Sequence, residues 1–145
     1  MNFDVIYGDT DSIMLNTKTK NIDEAIKSGL FLKSNINRIY KKLEIGIDNI
    51  FRKMLLIKKK KYAALNLIKN PIDGSYSVNQ ELKGLDIVRR DWSQVAKKLG
   101  KSIIDRILTE NTEEFLAREV LDLIENCAKK INQSQFDVDE YKIIM

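Results

Sequence analysis

The segment VIYGDTDSIML, residues 5–15, restricts the possible folds of this chain more than any other stretch. Apolar residues dominate positions 3–7 and 13–16, and a short polar segment separates them, which is typical of two strands joined by a tight turn. Asp9 and Asp11 lie in this polar segment. Residues i and i+2 of an extended backbone point the same way, so we expect both carboxylates on one side of a β-hairpin.

The paired carboxylates raise the hypothesis of a metal site. Two ionised carboxylates this close repel each other, and a hard divalent cation with oxygen ligands, such as Mg²⁺, removes that cost. We expect Gly8 to permit the tight backbone, and the hydroxyls of Thr10 and Ser12 to shape the turn. The alternative is an Asx-type turn with solvated aspartates, because D-x-D is common in loops. The metal site therefore rests on Asp9 and Asp11 being held by the flanking strands.

The hydrophobic pattern of the remaining chain predicts an α+β fold. The predicted elements are a helix at residues 22–43, strands at 47–57, 59–68 and 76–81, a turn at 70–74, two helices after residue 91 and a last strand at 141–145. Trp92 begins the apolar face of the first late helix, so we expect it in the core, and stacking on a base is the alternative. An antiparallel sheet with a packed helix thus gives way, near residue 88, to a mainly helical part.

Charge is distributed unevenly along the sequence. Residues 1–103 carry 20 Lys and Arg against 11 Asp and Glu, whereas residues 104–145 carry 5 against 10. Such a localised basic excess favours a polyanionic partner, although an ordinary solvated face is the alternative. With no histidine and a single cysteine, Cys127, the sequence excludes an internal disulfide and makes a zinc site untenable. No apolar run reaches the length of a membrane span. Because the single cysteine cannot form an internal disulfide, we expect a reduced intracellular protein.

The basic excess is densest in a run of four lysines, residues 58–61. On a strand, Lys58, Lys60 and Tyr62 would share one face, and Lys59 and Lys61 the other. Adjacent cations repel one another, so the run suits a surface that meets phosphates. The alternatives to a phosphate-binding surface are a solvated edge strand and a nuclear import signal.

Three segments in order resemble motifs of the family B DNA polymerases. They are YGDTDS at residues 7–12, KKKY at 59–62 and KGLDIVRRDW at 83–92, and their spacing also agrees with the family. The resemblance covers nearly the whole chain and is strongest to replicative eukaryotic members. It implies the C-terminal part of a palm domain at residues 1–87 and a truncated thumb domain at 88–145.

The resemblance also implies a reaction, a DNA-directed two-metal nucleotidyl transfer that adds dNTPs to a primer-template. Asp11 would bind Mg²⁺ directly and Asp9 would support the site. The DNA-binding residues implied are Lys59, Lys60, Lys61, Tyr62, Lys83, Gly84, Arg89 and Arg90. Of these, Lys60 would reach the minor groove at the primer end, and one arginine would meet the primer while the other pairs with Asp91. The further implications are a nuclear location, no membrane, and primase and accessory subunits as partners.

Two parts of the family pattern are absent from this sequence. The upstream palm motif with its further aspartate is missing, and so is the fingers motif that holds the incoming nucleotide. We therefore expect an incomplete two-ion Mg²⁺ site and a chain that is inactive alone. Both ends fall in predicted strands, which favours a piece of a longer polymerase. The alternatives are a small subunit of a split polymerase that completes its site in trans, or a non-catalytic duplex-DNA-binding module.

Overall fold

A computed structural model describes residues 3–109 and 112–143 of the chain. The elements are β1 Asp4–Asp9, β2 Ser12–Asn16, α1 Ile22–Ile39, β3 Phe51–Lys58, β4 Lys61–Lys69, β5 Tyr76–Lys83, a 3-10 turn Asp86–Val88, α2 Gln94–Thr109, α3 Glu113–Asn132 and α4 Val138–Tyr141. The first two strands form one sheet, and the next three form a second sheet in the order β3-β4-β5. The predicted α+β class is confirmed.

The chain divides into two compact units. The first contains Met1–Arg52 and Asn66–Val78, and the second contains Lys53–Leu65 and Asn79–Met145. Strands β3, β4 and β5 therefore contribute residues to both units. The palm and thumb boundaries at residues 87 and 88 stay a prediction.

In the first unit, side-chain hydrogen bonds fix both ends of α1. The Asn21 side chain accepts the N–H groups of the second and third helical residues at 2.9 and 3.3 Å, which is a regular N-cap. At the other end, the Asn37 amide accepts the Ile45 N–H at 2.8 Å and donates to the Ile45 carbonyl at 3.1 Å. These two bonds tie the following loop back onto the helix. The helix consequently ends at Ile39, before the predicted end at residue 43.

The second unit has a small apolar core between the sheet and α2. Ala63 of β4 and Leu85, after β5, are buried against Ile104 and Leu108 of α2, and partly buried leucines from three strands surround them. Trp92, which the sequence predicted to be buried, is 42% exposed. That prediction is wrong because α2 begins only at Gln94, so Trp92 precedes the helix instead of lying on its apolar face.

The predicted strand at residues 141–145 is also wrong within the part of it that the structure describes. Tyr141 is the last residue of the short helix α4. Its ring packs edge-on against Phe136 at a centroid distance of 6.2 Å, and Glu140 binds the Lys98 ammonium of α2 at 2.8 Å. These contacts favour a helical turn over an extended segment. Residues 144 and 145 lie outside the described residues.

Among the described residues, no helix combines the length and the apolar character that crossing a membrane requires.

Candidate metal and nucleic-acid sites

The acidic hairpin, residues 4–16, places the two predicted metal ligands at its turn. Strands β1 and β2 pair antiparallel, Asp9 and Ser12 form the last pair, and Thr10 and Asp11 form the connecting turn. The Asp9 Oδ1 accepts the Thr10 N–H at 3.0 Å and the Thr10 hydroxyl at 3.4 Å. The predicted hairpin is confirmed. The extended backbone assumed through Asp11 is wrong because this residue lies in the turn, so the shared side of the carboxylates stays a prediction.

Gly8 has an ordinary backbone in this hairpin. Its φ lies outside the left-handed region, and an added Cβ would meet only the Ser12 carbonyl oxygen at 3.7 Å, a normal contact distance. The hairpin geometry itself therefore does not require a glycine at position 8. Thr10 contributes to the shape of the turn through its bonds to Asp9. The role predicted for the Ser12 hydroxyl stays a prediction.

A β-bulge in β1, which the sequence did not predict, decides which face carries Asp9. The register shifts around Ile6, so Tyr7 pairs with Met14 and, two residues later, Asp9 pairs with Ser12. These four paired residues share one face, and each of them is partly buried. Without this extra residue, the side chains of β1 that precede the bulge would lie on the opposite face of the hairpin.

The oxygen donors of the acidic hairpin fit part of a magnesium site. Carboxylates and hydroxyls are the hard ligands that Mg²⁺ takes, and Asp11 is exposed at the turn. Over the described ranges 3–109 and 112–143, no group of three acidic, histidine or cysteine side chains is placed to hold a metal ion. The roles of Asp9 and Asp11 as metal ligands therefore stay predictions.

The lysine turn, residues 58–61, reverses the chain between β3 and β4. Lys58 ends β3, Lys59 and Lys60 form the turn, and Lys61 begins β4. Lys60 has a φ of 62°. The predicted strand at residues 59–68 therefore starts two residues later, and the predicted alternation of lysines between two faces is wrong. The physical reason is the chain reversal, because alternation holds only for an extended backbone.

Gly84 packs its backbone directly against the lysine turn. Its φ is 60°, and a Cβ at this position would lie 2.1 Å from the Lys60 carbonyl oxygen. Only glycine fits a left-handed backbone at so close an approach. The family resemblance implies Gly84 as a DNA-binding residue, and in the structure its backbone touches Lys60.

An ion pair between Lys61 and Asp86 fixes the same turn from a second side. The Lys61 ammonium lies 2.8 Å from Asp86 Oδ1, and the lysine side chain is 26% exposed. The hydrogen bond from Lys61 lowers the pKa of Asp86, with smaller contributions from the charges of Lys61, Arg89 and Lys58. Sequence reasoning missed Asp86, because its partner lies 25 residues away and no local pattern reports such a contact.

Tyr62 is buried, with 9% of its surface exposed, and its hydroxyl donates to Glu81 Oε1 at 3.0 Å. Lys83 lies 3.7 Å from the same carboxylate oxygen, at the end of β5. In this structure Tyr62 therefore joins β4 to β5. The contacts of Tyr62 and Lys83 with DNA stay predictions.

The two neighbouring arginines have different surroundings. The Arg89 guanidinium donates to both carboxylate oxygens of Asp91, at 2.9 and 2.7 Å. This paired bond raises the pKa of Arg89 and lowers the pKa of Asp91. Arg90 is exposed. Of the two, Arg89 is therefore the partner of Asp91, which leaves Arg90 as the candidate for a primer contact.

Comparisons with known proteins agree over nearly the full length of the chain. The sequence profile of DNA polymerase family B matches residues 1–145. The chain is 46% identical over 143 residues to the DNA polymerase alpha catalytic subunit of Xenopus laevis, covering 99% of the chain and 10% of the relative. It is 44% identical over 143 residues to the corresponding protein of Mus musculus, again covering 99% and 10%. The chain thus spans about a tenth of the length of these relatives.

A solved structure supports the fold. The family B DNA polymerase of the archaeon Pyrobaculum calidifontis matches with a TM-score of 0.67 and 23% identity, over 97% of this chain and 16% of that one. At this identity the likeness concerns the fold alone. The resemblance read from the three motifs is confirmed by the profile and by the curated relatives, and this chain belongs to the DNA polymerase family B.

Proposed function

We propose that the chain acts within a replicative DNA polymerase catalytic subunit, in DNA-directed addition of dNTPs to a primer-template. The match of the family profile to residues 1–145 carries this proposal. Two features of the described residues support it: the two carboxylates at the turn of the acidic hairpin, and the concentrated positive charge of the lysine turn. A nuclear location and a partnership with primase and accessory subunits belong to the same proposal.

In this function the acidic hairpin holds the divalent cations, and Mg²⁺ is the ion we propose. Asp11 is the direct ligand at the exposed turn, while Asp9, whose Oδ1 already accepts the Thr10 N–H, supports the site. Divalent ions in such a site stabilise charge on the phosphate under attack and on the departing pyrophosphate. The carboxylates of this chain contribute by holding their charge at a fixed turn.

The lysine turn and Arg90 hold the nucleic acid in this proposal. Lys59 and Lys60 project from a tight turn that Gly84 and Asp86 fix in place, so their charges stay localised. The minor groove offers acceptors common to all base pairs, so a lysine there contacts paired ends without reading sequence. A duplex-binding module without catalysis would gain nothing from the acidic hairpin, since clustered carboxylates repel phosphate.

The chain alone should not incorporate dNTPs, because only Asp9 and Asp11 lie at the turn of the acidic hairpin and the described residues place no third ligand with them for a metal ion. The measurement is template-dependent incorporation of labelled dNTP by the purified 145-residue chain, with an active polymerase on the same primer-template as the positive control. Incorporation that disappears in an Asp11→Asn version of the chain would contradict this expectation. Activity that appears only on mixing with the remaining polymerase segments would favour the split polymerase.

Lys60→Ala should weaken primer-template binding and flatten its dependence on salt. Each phosphate-neutralising cation contributes roughly 0.9 to the slope of log affinity against log salt, so the slope should fall by about that amount. Fluorescence anisotropy of a labelled duplex at several salt concentrations measures it. Lys130→Ala, which removes an exposed lysine near the end of α3, is the matched control and should keep the slope. Equal slopes for Lys60→Ala and the unsubstituted chain would remove Lys60 from the DNA-binding surface.

A further inference from the structure

The second unit contains a cavity that neither the acidic hairpin nor the lysine turn lines. Its volume is about 430 Å³, and its lining residues are Arg90, Trp92, Gln94, Lys97, Asp139 and Lys142. All of them come from the start of α2, the segment before it, and the region of α4. The volume falls within the roughly 300–1,000 Å³ range of small-molecule sites.

The cavity carries a net positive charge. Three cations and one carboxylate line it, and the Lys142 ammonium forms an ion pair with that carboxylate, Asp139. The two remaining cations are Arg90, which is exposed, and Lys97, which is partly buried on α2. A guanidinium and an ammonium that line the same cavity suit a phosphate group, through charge-assisted hydrogen bonds.

Trp92 adds a surface that a simple anion would not use. Its side chain is 42% exposed, although a tryptophan next to an apolar helix ordinarily packs inside. An exposed indole offers a flat face on which a nucleobase stacks, and this interaction tolerates any base. Gln94 brings both an amide donor and an acceptor to the same cavity, which suits the polar edge of a base.

We propose that this cavity binds a nucleotide, with the base stacked on Trp92 and the phosphate held between Arg90 and Lys97. A free nucleotide and an unpaired nucleotide of a DNA strand share this chemistry. Neither the proposed metal ligands nor the lysine turn line this cavity, so its nucleotide can be tested independently of the polymerase reaction. Only Arg90 belongs to both the cavity and the proposed DNA-binding residues.

The chain contains one tryptophan, so emission under selective excitation of the indole, which avoids the five tyrosines, reports on Trp92. Titration of the 145-residue chain with dAMP should change the Trp92 emission saturably. Deoxyadenosine and inorganic phosphate, each lacking one half of the ligand, should bind at least about tenfold more weakly, since stacking and charge-assisted bonds each contribute at that scale. Equal affinity for dAMP and inorganic phosphate, or no saturable change with dAMP, would overturn the proposal.

Two lysine variants distinguish a direct contact with the phosphate from the general effect of positive charge on dAMP binding. Lys97→Ala should weaken dAMP binding roughly tenfold, because it removes a charge-assisted phosphate contact. Lys101→Ala removes the same charge one turn further along α2, from an exposed residue that does not line the cavity, and should stay within about twofold of the parent. Equal losses in the two variants would reduce the effect to long-range electrostatics and refute the site. Unchanged far-UV circular dichroism confirms that both variants are folded.

A second set of measurements tests the stacking and identifies the source of the nucleotide. By equilibrium dialysis with labelled dAMP, Trp92→Ala should lose binding about tenfold, whereas Trp92→Phe should retain most of it. Identical losses for the two would refute the stacked base. Tighter binding of a single-stranded oligodeoxyadenylate than of dAMP assigns the site to an unpaired strand, and the reverse order assigns it to free nucleotide.

Discussion

Replacing Asp11 with asparagine in the proposed polymerase catalytic subunit should abolish DNA synthesis and leave primer-template binding nearly unchanged. Asparagine keeps the size of the side chain, but it removes the negative charge that we propose binds a divalent cation at the exposed turn of the acidic hairpin. Metal-assisted charge stabilisation supplies several kcal/mol in such sites, so synthesis should fall by roughly a thousandfold or more. Primer extension measures the loss, and duplex anisotropy measures the binding.

Asp4→Asn is the matched control on the same hairpin. Asp4 is at the opposite end of β1, where it pairs with Asn16 in register and with the Lys18 ammonium at 2.9 Å. Surface ion pairs contribute about 0–1 kcal/mol, so this variant should polymerise within about twofold of the parent. Near-normal synthesis by Asp11→Asn, or an equal loss in Asp4→Asn, would refute the assignment of Asp11 as a metal ligand.

Gly84→Ala should destabilise the second unit and disorder the lysine turn. An alanine there needs a left-handed backbone, and its Cβ would lie 2.1 Å from the Lys60 carbonyl oxygen. Since that oxygen belongs to the backbone, no side-chain rotation relieves the clash. We expect a loss of about 2–4 kcal/mol in the free energy of unfolding, measured by urea titration with circular dichroism. Duplex affinity should fall with it, because the lysines lose their fixed position.

Gly74→Ala separates the cost of a left-handed backbone from the cost of a steric clash, which Gly84→Ala combines. Gly74 also has a positive φ, 72°, but an added Cβ meets nothing within 4 Å. Its substitution should therefore cost only the conformational part, about 1 kcal/mol, and should leave duplex affinity unchanged. If Gly74→Ala and Gly84→Ala destabilised the chain equally, the close approach of Gly84 to Lys60 would have no energetic role.

The lysine turn shows how a charged segment becomes a fixed surface. Four neighbouring cations would spread apart in a free loop. Here the Gly84 backbone lies against Lys60, and Asp86 neutralises Lys61 through a bond of 2.8 Å. The carboxylate of Asp86 lowers the repulsion within the run at Lys61. Lys59 is exposed at the turn. A localised set of cations follows from contacts made by a segment more than 20 residues away.

The sequence alone determined the features that depend on neighbouring residues. The acidic hairpin, the turn before β5 and the first helix could be predicted because alternation, helical spacing and turn chemistry act over a few residues. The family was recognisable for a related reason: its motifs are short and keep their order and spacing, and the profile over residues 1–145 confirms it.

Only the tertiary structure decided where the lysines and Trp92 lie. Lysine carries a weak strand signal, so the turn at Lys59 and Lys60 became visible only with Gly84 packed against it. Trp92 fits an apolar helical face by spacing, yet α2 starts two residues later and leaves the indole exposed in a cavity. The lysine turn depends on a contact between residues distant in sequence, and the exposure of Trp92 depends on the residue at which α2 begins. Hydrophobic periodicity carries no information about the contact or about the first residue of the helix.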